Sequence, residues 1–269
     1  MRSRLELAAA RIQPSCGAST RNVADVPDPI FSDPRLARIY DWLEIERPDL
    51  DVYAAMADEF KARSVLDIGC GTGTLCLLLA AAGLDVTGAD PADASLDVAR
   101  LKQGAEGVRW IAGDATKLPP LQVDLVAMTG NVAQVFLSDV EWNETLNAIR
   151  VAMKPGGRFV FEARNPDRQA WLGWTREQTE AVSQVPGVGK VTSWCELLGV
   201  DDPFVSFRWT YVFAESNEVL TSDSTLRFRS QAEIEHLLVA NGFVVEEIRE
   251  APDRPGLEFV FIAAHVCIQ

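Results

Sequence analysis

Three glycines and two aspartates stand where their types and spacing could hold a ligand. Asp67-Ile68-Gly69-Cys70-Gly71-Thr72-Gly73 follows the apolar Val65-Leu66 and leads into a Leu- and Ala-rich run from Thr74 to Ala82. Glycines at alternate positions let the backbone turn sharply and admit a ligand without Cβ clash. A helix opening after such a turn presents free N–H groups above the strand end. The dinucleotide fingerprint G-x-G-x-x-G is not matched, because the third glycine comes one residue early and an acid precedes the run. That acid, Asp67, repels a pyrophosphate and suits an amine or another cation. Asp90, with Pro91 after it, lies 21 positions beyond Gly69, the spacing at which a carboxylate accepts both hydroxyls of a ribose diol.

The elements that must position these residues alternate as strand and helix. Strands are read at Val65–Ile68, Asp85–Ala89, Val108–Ala112, Val123–Met128 and Arg158–Ala163, with helices at Thr74–Ala82, Pro91–Lys102 and Asp139–Met153. Such alternation predicts a doubly wound parallel sheet. Ligands in open α/β sheets bind beyond the carboxyl ends of the strands. Gly69, Asp90, Asp114, Gly130 and Arg164 should therefore converge on one crevice.

The ordered string SVLDIGCGTGT, VTGAD, AGDAT and KPGGRFVFEARNP resembles the class I S-adenosylmethionine (SAM)-dependent methyltransferases from about Pro34 to Ala163. The resemblance implies a Rossmann-like seven-stranded mixed sheet of order 3-2-1-4-5-7-6, strand seven antiparallel. A helix over Ser230–Asn241, stopped by Gly242, and strands at Phe243–Ile248 and Glu258–Ala264 complete that plan. It also implies SAM as cofactor, with Asp67 toward the methionyl amine, Asp90 on the ribose, and Asp114-Ala115 at the adenine. The turn Thr129-Gly130-Asn131 would face the methionine and sulfonium. Two helices, Pro34–Leu43 and Asp49–Phe60, would lie across the cofactor mouth, making Tyr40 and Trp42 candidates for a lid. Cys70 reads as a packing residue within the turn.

Composition narrows the partners. Lys and Arg number 25 against 39 Asp and Glu, a formal charge of −14 that disfavours a nucleic-acid partner. No apolar run reaches membrane-spanning length. The five scattered cysteines, Cys16, Cys70, Cys76, Cys195 and Cys267, form no metal-type pair and suit a reducing cytoplasm. Residues 1–33 read as an extension or disordered tail, 34–165 as the SAM-binding core, 166–229 as an insertion and 230–269 as the end of the core. The insertion is too long for a bare connection. Three period-two segments, Val188–Leu198, Phe204–Phe213 and Leu220–Phe228, predict a small antiparallel sheet, with Val205, Phe207, Trp209, Tyr211 and Phe213 on one face. In related small-molecule enzymes such an insertion roofs the substrate cavity.

The function this implies is methyl transfer to a small-molecule acceptor by a monomer or homodimer, with an O, N or C nucleophile. Arg164, Asn165 and Tyr211 are the candidates nearest the chemistry, Glu162, Trp194, Glu196 and Arg208 are further polar groups near the mouth, and no residue is singled out as the base. Arg208 is read as pairing with Glu196 across the hairpin. His236 and His265 read as structural, and no metal site is read. Two rivals are a catalytically silent SAM-binding module and a nucleotide-dependent oxidoreductase.

Overall fold

The computed structural model describes residues 27–43 and 47–265. The tail reading for residues 1–26, and Cys16 and Cys267, lie outside the described residues. The chain opens with α1 (Pro29–Ser32), α2 (Pro34–Leu43) and α3 (Asp49–Glu59). The alternating unit follows: β1 (Ser64–Ile68), α4 (Thr74–Ala81), β2 (Asp85–Asp90), α5 (Asp93–Arg100), β3 (Val108–Ala112), β4 (Val123–Met128), α6 (Asp139–Ala152) and β5 (Met153–Arg164). After α7 (Arg176–Thr179) come β6 (Ala181–Val185), β7 (Gly189–Asp201), β8 (Phe204–Phe213) and β9 (Glu218–Arg227), then α8 (Gln231–Ala240), β10 (Phe243–Glu250) and β11 (Glu258–His265).

The main sheet runs β3-β2-β1-β4-β5-β11-β10, with β11 antiparallel to both neighbours. This is the order 3-2-1-4-5-7-6 expected from the sequence. Period-two alternation builds a core on each face. Leu66, Val126, Phe159, Phe161 and Phe261 pack under α6 and α8, with Phe159 and Phe161 stacked at 4.6 Å. Val65, Leu125, Val160 and Ile262 pack under α3 and α4 with Leu50, Met56, Leu75 and Leu79. Ser138 and Ser230 start α6 and α8 through reciprocal bonds with Glu141 and Glu233, the capping-box arrangement.

Three expectations need correction. Residues 27–33 are not a disordered tail: α1 docks on the insertion, with Ile30 N–H donating to Ser222 Oγ at 3.0 Å and Ser224 Oγ donating to Asp28 at 2.6 Å. The insertion sheet has four strands, β6-β7-β8-β9, not three. Its edge strand β6 reads Ala-Val-Ser-Gln-Val, mostly exposed, with too little apolar alternation to signal itself. Arg208 does not hold Glu196, whose carboxylate takes the Trp194 indole N–H at 2.8 Å. It forks instead onto Asp223 of β9 at 2.5 and 2.6 Å. The predicted apolar face of β8 does form. Tyr211 and Phe213 close one end of it against Leu36 and Ile39 of α2, and Val205 the other against Trp171 and Phe228.

One polar clip fastens the amino ends of β1, β4 and β5. Asp124 accepts from Arg63 N–H, Ser64 N–H and Ser64 Oγ at 3.0, 2.9 and 2.8 Å, and pairs with Lys154 at 2.9 Å. Burial works to raise its carboxyl, but Lys154, Ser64 and the backbone donors hold it down at about 2. Asp124→Ala leaves two backbone donors without their acceptor and should cost about 1–3 kcal/mol, read as a fall of several degrees in thermal midpoint. The depressed carboxyl contributes stability above its ordinary 3.8, and that contribution fades as pH falls toward 2. Wild type and variant melts should therefore converge in strong acid.

Candidate functional site

The crevice begins at the glycine turn after β1. Gly69 and Cys70 N–H groups donate to Ala89 O at 2.8 and 3.2 Å, tying the turn to β2. Gly69, Gly71 and Gly73 all take left-handed backbone, with φ of 72°, 53° and 79°. Their reasons differ. A Cβ on Gly69 would come within 2.6 Å of Val132, and one on Gly73 within 2.4 Å of Trp110. These two glycines serve close packing. A Cβ on Gly71 would meet nothing within 4 Å, and the same holds for Gly130 beyond β4, at φ 70°. Open space therefore lies over Gly71 and Gly130, where a ligand can approach backbone. Cys70 is buried, as its packing role requires, with its sulfur 3.0 Å from where a Gly88 Cβ would stand.

Asp90 clamps this turn. Its Oδ2 accepts Gly71 N–H and its Oδ1 accepts Ala92 N–H, both at 2.8 Å. Each oxygen keeps a second lone-pair direction for a further donor. The residue is 7% exposed, and burial pushes its carboxyl up. Pro91, exposed, leads into α5. Asp67, at 1% exposure, accepts only the Cys76 thiol at 3.3 Å, and its Oδ1 has no partner among the described residues. Burial, with the Asp90 charge adding to it, pushes the Asp67 carboxyl up to about 7. A buried acceptor oxygen left without a donor fits a ligand bearing an ammonium group. Arg47, paired with Asp49 at 2.7 Å, lies close enough to pull the Asp67 carboxyl back down.

At the tip of β3, Asp114 closes its own turn. Its Oδ1 accepts Thr116 N–H at 2.9 Å, and Lys117 pairs with Oδ2 at 2.8 Å. Burial raises the carboxyl, but Lys117 and Thr116 outweigh it and hold it below the usual range. Ala115 beside it is buried. On the mouth side, Tyr40 packs its ring 5.6 Å from Phe31, and Trp42 is 40% exposed. The residue that fastens α2 to the turn is Asp41, between them. It accepts Thr72 Oγ1 at 2.6 Å and pairs with Lys102 at 2.6 Å. Flanked by two aromatics on an amphipathic helix, Asp41 reads in sequence as a solvent-facing charge.

Beyond β4 and β5 lies a buried polar network that the sequence showed only in part. Asn131, left-handed at φ 61° and 3% exposed, donates its backbone N–H to Glu162 Oε1 at 3.0 Å and its Nδ2 to Glu258 at 3.2 Å. The Tyr53 phenol of α3 donates to Glu162 Oε2, and Arg254 pairs with Glu258 at 2.9 Å. Burial pushes the Glu162 carboxyl up. Tyr53, Glu258 and Arg254 carry no motif. The available signal is register: Asp67, Glu162 and Glu258 each continue the buried row of their strand, after Val65 and Val160 and before Val260.

The three catalytic candidates part company here. Arg164, at the tip of β5, donates to Gln134 at 3.2 Å and lies over the Trp174 ring at 5.7 Å, facing the insertion. Asn165 caps the short turn after it, accepting Asp167 N–H at 3.0 Å. Tyr211 is 2% exposed within the apolar cluster between β8 and α2, which is a packing position. Thr129 is half-buried at the head of the β4 turn.

Comparison with known proteins agrees with this geometry. Residues 65–157 match the model of a methyltransferase domain family. A ubiquinone biosynthesis O-methyltransferase of Bordetella avium is 33% identical over 123 residues, 44% of this chain and 49% of that protein. The chain thus spans about half the length of the curated relatives it matches. Among solved structures, a SAM-dependent methyltransferase from Clostridium acetobutylicum superposes with a TM-score of 0.71 at 16% identity, over 87% of this chain and 98% of that one. The SAM-bound amino pentose methyltransferase of Micromonospora echinaspora gives 0.63 at 21% identity, over 82% and 93%. Residues 65–157 thus match a methyltransferase domain, and the sheet around them has the fold of solved SAM-dependent methyltransferases.

Proposed function

We propose that this chain transfers the methyl group of SAM to the oxygen or nitrogen of a small-molecule acceptor. One observation carries the reading. At adjacent strand tips, an open glycine turn is clamped by Asp90 next to a buried Asp67 oxygen that lacks a donor. When bound, SAM supplies a methyl group already activated on a sulfonium and leaves as S-adenosylhomocysteine. Asp67 would hold its ammonium group, Asp90 its ribose diol, Asp114-Ala115 its adenine, and Gly71 and Gly130 would give it room.

The rest of the chain would align the acceptor and exclude water, where proximity supplies much of the acceleration. Phe207 and Trp174, with rings 4.6 Å apart, and Arg164 lie between the β5 tip and the inner face of the insertion sheet. They form an aromatic and cationic wall suited to a small organic acceptor. A name ending in O-methyltransferase for the Bordetella relative, and an amino pentose substrate for the Micromonospora structure, support a hydroxyl or amino nucleophile. The acidic balance supports an acceptor other than nucleic acid, and no described helix is long and apolar enough to cross a membrane. Buried free thiols at Cys70, Cys76 and Cys195 are in keeping with work in the cytoplasm, as monomer or homodimer.

The decisive experiment offers purified protein SAM with a panel of hydroxyl- and amine-bearing small molecules and follows S-adenosylhomocysteine by mass spectrometry. Acceptor-dependent product supports the enzyme. Tight cofactor binding without turnover on a broad panel supports the silent binding module instead. Asp90→Ala removes the diol acceptor and the Gly71 clamp together. Calorimetry should show affinity for S-adenosylhomocysteine falling about 10- to 100-fold, the size of one or two charge-assisted hydrogen bonds. Asp67 is ionised only above its raised midpoint of about 7. Affinity for the ammonium-bearing ligand should therefore weaken severalfold from pH 8 to pH 6, and Asp67→Asn should flatten that dependence.

A further inference from the structure

Glu162 ends the buried row of β5, yet every hydrogen bond it makes leads to a different element. Its Oε1 accepts the Asn131 backbone N–H at 3.0 Å and the Asn131 side-chain amide at 3.4 Å, and its Oε2 accepts the Tyr53 phenol. Asn131 Nδ2 is shared with Glu258 at 3.2 Å, so the amide is held with its nitrogen toward two carboxylates. The turn so anchored contains two successive left-handed residues, Gly130 and Asn131. Left-handed backbone at a residue with a side chain persists only where its surroundings enforce it. The next residue, Val132, presses on the glycine turn: its methyl groups lie 2.6 and 2.8 Å from where a Gly69 Cβ would stand. A continuous chain of contacts thus runs from Tyr53 on α3 through Glu162 and Asn131 to Val132 and Gly69.

We propose that Glu162 is a positioning residue that sets the gap between the β4 turn and the glycine turn, and that Tyr53 couples that gap to the docking of α3. The proposal rests on the methyltransferase reading, since it assigns these residues to the width of the SAM cleft. Neither side chain touches the reacting atoms. Tyr53 is 3% exposed among Leu50, Met56 and Ala57 of its own helix, and Glu162 is 6% exposed beneath the turn. Asn131 Oδ1 is left without a partner among the described residues, so the anchoring holds one further acceptor fixed beside the cleft. Arg254 and Arg164 reach Glu258 at 2.9 and 3.6 Å, and the Arg254 charge also acts to lower the Glu162 carboxyl.

The test is a double-mutant cycle on S-adenosylhomocysteine affinity, read by calorimetry, with thermal melts of each ligand-free protein. Tyr53→Phe removes one oxygen and should weaken binding about threefold to tenfold, the size of one ordinary hydrogen bond. Glu162→Ala should weaken it about 10- to 100-fold, as expected for losing bonds to an ionised group. In the double variant the Tyr53→Phe loss should vanish, because among the described residues the hydrogen bond of that hydroxyl goes to Glu162. If Glu162→Ala does not melt cooperatively, Glu162→Met replaces it: the thioether fills the space without an equivalent acceptor for Tyr53 or Asn131, and should show the same loss of additivity.

A purely structural pair would lower the melting temperature and leave affinity unchanged. Wild-type affinity in both single variants, or losses that simply add, overturns the proposal while leaving the methyltransferase reading intact. A wild-type chain that binds no S-adenosylhomocysteine overturns both.

Discussion

The cost of burying carboxylates at the tips of neighbouring strands governs this structure. Asp67, Asp90, Glu162 and Glu258 are each less than a tenth exposed. An ionised carboxylate in such surroundings must find donors or give up its charge. Each of the four meets the demand differently. Asp90 takes two backbone N–H groups, one from the glycine turn and one from the entry to α5. Glu162 takes a backbone N–H and a phenol, and Glu258 takes a guanidinium. Among the described residues Asp67 takes only a thiol, and one of its oxygens goes without. The geometry of the cleft follows from these demands, because the donors that answer them are the turns and helices forming its walls.

That ordering explains which parts of the molecule were legible in the chain. Strands β1 to β4 announce themselves as short apolar runs with Gly or Asp at the end or within two residues of it, because the ligand end of a doubly wound sheet needs those residues at fixed backbone positions. Gly71 and Asp90 could be placed for the same reason. Gly69 and Gly73 could be found but not understood. Their need for a missing Cβ comes from Val132 and Trp110, residues far along the chain. Asp41, Tyr53 and Glu258 were out of reach because each acts on a partner on another element, and their neighbours in sequence carry no trace of it. The edge strand β6 escaped for a simpler reason: a mostly exposed edge strand need not alternate. Arg208 shows the limit of register arguments. It stands directly opposite both Glu196 and Asp223, and only the competing claim of Trp194 on Glu196 decides between them.

The insertion is tied mechanically both to the glycine turn and to the tip of β5. Its inner face closes at one end on α1 and α2 through Ile30, Leu36, Ile39 and Tyr211. The same α2 reaches the glycine turn through Asp41 and Thr72. At the other end, Phe207 meets Trp174, which lies over Arg164 at the tip of β5. A change in how the insertion sits is therefore felt at both Thr72 and Arg164, along packed contacts with little freedom to absorb it. The apolar faces of α1 and α2 are the floor under the insertion, and Asp41 fastens α2 on the turn.

The placement of charge also constrains how the rate can arise. On the proposed reading Asp67 and Asp90 would grip an ammonium and a diol, groups that do not change during methyl transfer. Interactions of that kind stabilise the ground state and transition state equally and so do not raise the chemical rate. A carboxylate facing the sulfonium itself would be worse, since that charge disperses as the methyl leaves and the carboxylate would hold the reactant back. The carboxylate nearest the β4 turn is Glu162, and it faces inward to Asn131 and Tyr53, occupied on both oxygens. The cleft is thus anionic where binding needs it. At the β4 turn it presents backbone held in left-handed geometry, and on the proposed reading acceleration would fall to alignment under the insertion sheet.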